Sequence, residues 1–421
     1  MTKKIISALF LILLTGCALR TAKNDPNQIT SLQMVDRNGF SETIGNKERL
    51  GVYQNVDFLS TQPYQKVLRV FGRDNEGKSH SKITSYHPNG GVWQYLEVLD
   101  GRAHGQFKEW HENGTLKISC IVLDGMADVT PLAQNGWIFD GQSLVWDENG
   151  VLIADIQYDN GVLQGISSYY YPTGKLWKII PYDHHLIHGE VLVYNQNGEV
   201  IEKIPYEKGL KNGIASGIWS EGNPWYEEDH ETGLLKKAIY YDPSGKKMAE
   251  VISGDGLQAQ FENQRLYSLI QYQKGKVEGE IKIFDKTGLL FNSYCIKDDK
   301  KQGEEWEYYP NSSQPKLLVS WYEDCIQGLV KTWYENGNLE SQREMSNNKK
   351  HGLSFAYYKD GQLMFMEEYD NDKLWRGSYF KKGEKIPISK IEEGFGIATL
   401  YNHDGYLIQK VTYEKGLPII E

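Results

Sequence analysis

One phrase recurs along this chain and constrains its fold more than any bulk property. It is a glycine, an aromatic residue five positions on, a second glycine nine positions on, and a leucine two beyond that. It reads Gly328, Trp333, Gly337, Leu339; then Gly352, Tyr357, Gly361, Leu363; then Gly396, Tyr401, Gly405, Leu407. Earlier copies run Gly105, Trp110, Gly114; Gly141, Trp146, Gly150; Gly165, Gly174; and Gly189, Gly198. Starts at 141, 165, 189 and 213 are 24 residues apart. A fixed period in this range marks a repeat architecture, in which each unit buries its apolar face only against its neighbours. A stacked array has no fixed size, so 421 residues set no domain count.

The offsets within the phrase choose a turn. Asparagine precedes the second glycine at Asn113, Asn149, Asn197 and Asn336, a strong hairpin signal. If that glycine closes a three-residue loop in the left-handed region, the aromatic at offset five faces the leucine at offset eleven, a favourable cross-strand pair. Offset seventeen is often tyrosine (Tyr158, Tyr182, Tyr206, Tyr369, Tyr413) and by parity joins the same face. The next repeat's first glycine then marks the bend between hairpins. A second aromatic series at offset six (Tyr171, Tyr309, Tyr334, Tyr358) has opposite parity and is expected to be mainly structural. The expected fold is all-β: an elongated antiparallel β-hairpin meander or open solenoid of about 24-residue repeats. Two stretches, 115–149 and 223–287, break the period, the first by an insertion over Met126 to Asn135, the second by one shortened unit.

The N-terminus carries a different signal. Lys3 and Lys4 precede a ten-residue apolar core, Ile5 to Leu14, interrupted only by Ser7 and too short to span a bilayer, so it reads as a leader. It ends Leu14-Thr15-Gly16-Cys17, which resembles the lipobox of bacterial lipoproteins. That resemblance implies acylation of the Cys17 thiol, cleavage before it, and an anchor of several acyl chains. Ala18 in the second mature position implies the outer membrane of a Gram-negative bacterium, within a cell-envelope location. The expected organisation is 1–16 signal peptide, 17–35 lipidated polar tether, 36–80 irregular N-terminal β region, and 81–421 repeat array. Net charge is −10, and −12 once Lys3 and Lys4 leave. With no basic stripe, nucleic acid is not an expected partner. Cys120, Cys295 and Cys325 remain after processing, an odd number, and are expected to be free thiols.

Segments such as Trp333-Tyr334-Glu335-Asn336-Gly337-Asn338-Leu339-Glu340-Ser341 resemble the bacterial variant of the membrane occupation and recognition nexus (MORN) repeat. The resemblance covers roughly residues 80 to 421. It implies a scaffold that binds proteins or lipids; several bacterial proteins with the variant carry an antitoxin label, and the repeat implies no catalysis.

Candidate chemistry is sparse. Asp183-His184-His185 with His188 has the residue types of a metal site, but His188 sits in the pre-glycine slot shared by His104 and His351. No metal or cofactor is expected. Glu227, Glu228 and Asp229 supply carboxylates of the kind glycan hydrolysis uses, although a solvated face is the simpler reading. No serine elbow, phosphate loop or metalloprotease helix is present. The function expected is a non-catalytic, membrane-anchored lipoprotein whose repeats bind a protein or surface polymer. The alternatives are an antitoxin or immunity-type protein that neutralises a toxin by direct binding, and an envelope hydrolase.

Overall fold

The computed structural model describes residues 28–74 and 76–419. The chain divides into two units, Met1–Gly174 and Lys175–Glu421. In the first, the strand Ser31–Val35 pairs on one side with Ser41–Ile44 and on the other with Lys66–Arg73. From there sequence neighbours are spatial neighbours through Ser79–Tyr86, Val92–Leu99, Arg102–Trp110, Leu116–Asp124, Ile138–Trp146 and Leu152–Asp159. The second unit is likewise a meander of successive antiparallel hairpins, seen in the runs Lys276–Phe284 to Leu290–Lys297 and Cys325–Trp333 to Leu339–Ser346 to Lys349–Tyr357 to Leu363–Asp370. Among the described residues no pairing joins the first strand of a unit to its last, so neither meander closes into a barrel.

The order begins earlier than the sequence implies. Leu32 and Met34 are buried with Ile44, Leu50, Phe58, Val67 and Tyr86, although Ser31–Val35 lies in the stretch expected to be a tether. The two apolar residues alternate with polar ones, and the polar flanks masked a five-residue strand. The helix Lys47–Gly51, capped by Asn46 accepting from the Glu48 and Arg49 amides, seats Leu50 in this core. The insertion Met126 to Asn135 carries the short helix Pro131–Gln134. Val129 of the insertion, with Trp137 just beyond, plugs the core around Phe107 and Val122, and Ala133 is buried.

The repeat hairpin has the expected register. Trp110 faces Leu116, Trp146 faces Leu152, Tyr194 faces Val200, Trp333 faces Leu339, Tyr357 faces Leu363 and Tyr401 faces Leu407. The Tyr334 amide donates to the Asn338 carbonyl at 2.9 Å and Gly337 donates back to Tyr334 at 2.9 Å, which closes a three-residue loop. Gly337 has φ +89°, so the left-handed position falls to glycine.

Two expectations are corrected. The bend between repeats is not at the first glycine but four residues earlier, in a two-residue turn. Ser346 faces Lys349 across Asn347-Asn348 (φ 49° and 65°), both left-handed as a type I′ turn requires. Gly328 instead lies inside its strand at φ +102°, where Val319 faces Val330 and Trp321 faces Ile326, so that one residue, Ser320, opposes three. A glycine is needed there for the bulge, because side-chain-bearing residues avoid that φ. Offset seventeen also lies on the other face from offset five. Tyr369 sits opposite Gly352, on the face of Ser354 and Glu367, whereas Tyr357 is an odd number of residues from Ser354. The register shift between Ala356 and Tyr357 adds a residue to the second strand and reverses the parity.

Candidate functional site

The offset-six residues ask where their polar groups go, and the answer has two forms. When the residue is aspartate or asparagine, it caps its own loop: Asp147 Oδ1 accepts from the Asn149 and Val151 amides, and Asn195 Oδ1 from Asn197 and Glu199. At Tyr309, Tyr334, Tyr358 and Trp219 the polar tip of the aromatic residue reaches the next repeat. Tyr309 Oη donates to the Trp333 carbonyl at 2.6 Å, Tyr334 Oη to Tyr357 at 2.7 Å, Tyr358 Oη to Phe380 at 2.7 Å, and Trp219 Nε1 to Tyr241 at 3.1 Å. Asparagines reinforce the ladder: Asn89 Nδ2 donates to Glu112, Asn113 to Glu148 and Asn336 to Lys359. Tyr309, Tyr334 and Tyr358 are therefore staples between repeats.

Of the three adjacent carboxylates, strand alternation sends one inward. Glu228 is 4% exposed and Glu227 and Asp229 lie on the opposite face. Glu228 Oε1 accepts from Tyr240 Oη at 2.8 Å and Gln258 Nε2 at 3.0 Å; Oε2 meets His230 Nε2 at 2.9 Å and Lys211 Nζ at 3.1 Å. Burial raises the carboxyl pKa, but the hydrogen bond from His230 and the charge of Lys211 outweigh it and hold the group down at about 2. An ionised carboxylate has about four lone-pair sites, and four donors fill them.

The same network occurs again 139 residues later, at Glu367. There Tyr379 Oη donates to Oε1 at 2.7 Å, Tyr369 Oη to Oε2 at 3.0 Å, and Lys350 Nζ lies 3.3 Å from Tyr369 Oη. Lys211, Glu228, His230 and Tyr240 map onto Lys350, Glu367, Tyr369 and Tyr379 by that one shift. Burial pushes the Glu367 carboxyl above the ordinary range, and two tyrosine hydroxyls only partly offset it. The backbone is duplicated too. Leu235 and Leu374 donate to the Gly275 and Gly416 carbonyls, and Gly275 and Gly416 donate to Gly254 and Gly394. Each copy holds its own core, with Leu235, Tyr240 and Val251 in one and Leu374, Tyr379 and Ile391 in the other. Sequence inspection by the 24-residue period missed this duplication; a self-comparison at the longer shift exposes it.

The first copy opens into a cavity of about 580 Å³, lined by Glu202, Trp225, Tyr226, Gln258, Gln260 and Tyr267 among others. Tyr226 Oη donates to Glu202 Oε2 at 3.0 Å. Burial raises the Glu202 pKa against that hydrogen bond. Trp225 lies 5.2 Å from Trp219 and 5.0 Å from Tyr226, ring centre to ring centre.

The remaining sequence candidates fall elsewhere. His184 and His185 (φ 48° and 67°) are the central residues of a two-residue turn between Asp183 and Leu186, with His184 Nδ1 2.7 Å from Asp183 Oδ1. Among the described residues no group of three or more His, Cys, Asp or Glu is placed to hold a metal ion. Cys120 is buried, Cys295 and Cys325 are half-buried, and all three are free thiols. Cys17, with the leader, lies outside the described residues. No helix among the described residues is long and apolar enough to cross a membrane.

Comparison with known proteins agrees with this geometry. Six segments, 103–121, 139–160, 163–184, 187–208, 326–347 and 350–371, match the family described as MORN repeat variant. The matched segments form a MORN-repeat-type β-meander; they pass over the Lys211–Tyr240 network, whereas 350–371 takes in Lys350, Glu367 and Tyr369 of the second copy. No curated protein matches the chain. Solved structures that match include TcdB2-TccC3 without its hypervariable C-terminal region, at 12% identity over 87% of this chain and 24% of that one, TM-score 0.13. A porin-like protein from Bacteroides uniformis matches at 7% identity over 66% of this chain and 94% of its own, TM-score 0.15. This chain thus spans about a quarter of the first, and neither superposition bears on function.

Proposed function

We propose that this protein is a non-catalytic lipoprotein of the bacterial cell envelope, held at the outer membrane by acyl chains on Cys17, whose repeat array binds a partner protein or an envelope polymer. One observation carries the scaffold reading: the polar chemistry of the repeats is spent on joining repeats. Tyrosine, tryptophan and asparagine tips are bonded to the next loop's carbonyls. The most buried of the three adjacent carboxylates, Glu228, accepts from four donors and keeps no lone pair for general-base or nucleophilic work. That argues against the envelope hydrolase. The anchor rests on Leu14-Thr15-Gly16-Cys17 alone.

The test is cross-linking in intact cells, followed by purification of the full chain and of Cys17→Ala. The expected result is one abundant companion recovered with the wild type from the membrane fraction, and a soluble variant that no longer recovers it. Equal membrane retention of both, or no companion with either, overturns the proposal.

A further inference from the structure

The duplication separates what the module needs to fold from what it does not. Both copies keep the lysine, the buried glutamate, the tyrosine twelve residues on and the glycines that join their turns. Five residues around the first copy's cavity have no such constancy. Glu202, Trp225 and Tyr226 correspond to Ser341, Met364 and Phe365 in the second copy. Gln258 and Gln260 correspond to Ala398 and Leu400 at a shift of 140, because the second copy gains one residue before Ile391, which faces Gly396 as Val251 faces Gly256. The second copy packs Phe365, Ala398 and Leu400 into an apolar core. The fold therefore tolerates apolar or small residues at these places, yet the first copy brings five polar or aromatic groups together there, on one open cavity.

Their chemistry is specific. Trp225 and the 41%-exposed Tyr267 line it with aromatic rings, and Phe261 adds an apolar wall. Gln260 Oε1 accepts from Ser268 Oγ at 2.9 Å, which leaves its amide N–H pair for a ligand. Gln258 Nε2 donates to Glu228, which leaves its carbonyl oxygen. Glu202 adds a carboxyl already bonded through one oxygen to Tyr226. Lys211 is committed to Glu228, so the lining has no uncompensated cation for a phosphate or carboxylate. Aromatic rings beside amide and carboxyl groups suit a ligand with an apolar C–H face and a rim of hydroxyls. A volume of about 580 Å³ is that of a small-molecule site.

We infer that this cavity binds a neutral sugar unit of a glycan, stacked on Trp225 and Tyr267 and hydrogen-bonded by Glu202, Gln258 and Gln260. The inference deepens the polymer branch of the scaffold reading and rests on it. The test uses the full chain in a non-glycosidic detergent, titrated by calorimetry with cellotetraose, maltotetraose and triacetylchitotriose, and with trigalacturonic acid as the anionic comparison. Saturable binding of at least one neutral oligosaccharide is expected, with the anionic one at least tenfold weaker. The triple variant Glu202→Ser, Tyr226→Phe, Gln260→Leu copies the second module and is expected to lose at least tenfold in affinity with an unchanged urea midpoint. If it does not fold, Trp225→Met alone reads the stacking, with the same tenfold loss expected. Absence of neutral binding, equal affinity for the anion, retention of affinity in the folded variant, or release of new reducing ends overturns the assignment. A chain that binds no oligosaccharide but still recovers its cellular companion removes the sugar site and leaves the scaffold; one that does neither removes both.

Discussion

Replacing Glu228 by glutamine tests whether this carboxylate is a structural keystone. Its pKa of about 2 lies some 2.5 units below an ordinary glutamate, which is worth about 3 kcal/mol at neutral pH. Glutamine removes the charge that Lys211 and His230 face and turns an N–H₂ group toward two of the four donors. Repeat arrays open locally, so the readout is amide exchange of Pro224–Glu231, not a global midpoint. A loss of about 3 kcal/mol corresponds to roughly 100-fold faster exchange at pH 7. The pH sign follows from the depressed pKa. The contribution is fully present above the unfolded value near 4.5 and is lost as pH falls through about 2, so wild type converges on the variant in that window. At Glu367 the pKa is raised, so the sign reverses: its module is favoured below the unfolded value and loses stability as pH rises through the folded one. Exchange in Glu228→Gln within threefold of wild type at pH 7, or acid responses of the same sign in both modules, refutes the reasoning.

Other expectations follow from single contacts. Tyr334→Phe removes the hydroxyl bonded to the Tyr357 carbonyl and is expected to cost about 1 kcal/mol, read as roughly fivefold faster exchange in Lys349–Tyr357; no change denies the staple. Asn336→Ala breaks the bonds to the Asn338 amide and the Lys359 carbonyl and is expected to cost about 1–2 kcal/mol in the same region. Gly361→Ala (φ +86°) has no atom within 4 Å of the new methyl and should cost about 1 kcal/mol. Gly394→Ala (φ +83°) brings its methyl within 2.6 Å of the Gly416 nitrogen and should cost clearly more, as amide exchange in Leu363–Asp370 for the first variant and Phe395–Tyr401 for the second will show.

The regular hairpin was legible because its signals are local. Glycine at the left-handed loop position and the Trp333–Leu339 pair fix turn and register together. The other turn was hidden, since Asn347-Asn348, His184-His185 and Asp298-Asp299 adopt left-handed φ without a glycine to announce it. The face of Tyr369 was misassigned for a different reason: a bulged residue is invisible to parity counting until the pairing is known. At the site, Glu227, Glu228 and Asp229 were visible, but the partners of Glu228 lie up to 30 residues away in sequence. Glu202, Gln258 and Gln260 carry no motif, and only comparison with Ser341, Ala398 and Leu400 sets them apart.

The two buried glutamates, Glu228 and Glu367, are committed to holding neighbouring strands. Carboxyl-carbon NMR of the full chain, with Glu228 and Glu367 assigned from their glutamine variants, measures this most directly. The account predicts that Glu228 titrates near 2 and Glu367 above the ordinary glutamate range. Ordinary titration of both near 4.5 contradicts it, because solvent would then occupy the places given to Tyr240, His230, Lys211, Tyr369 and Tyr379.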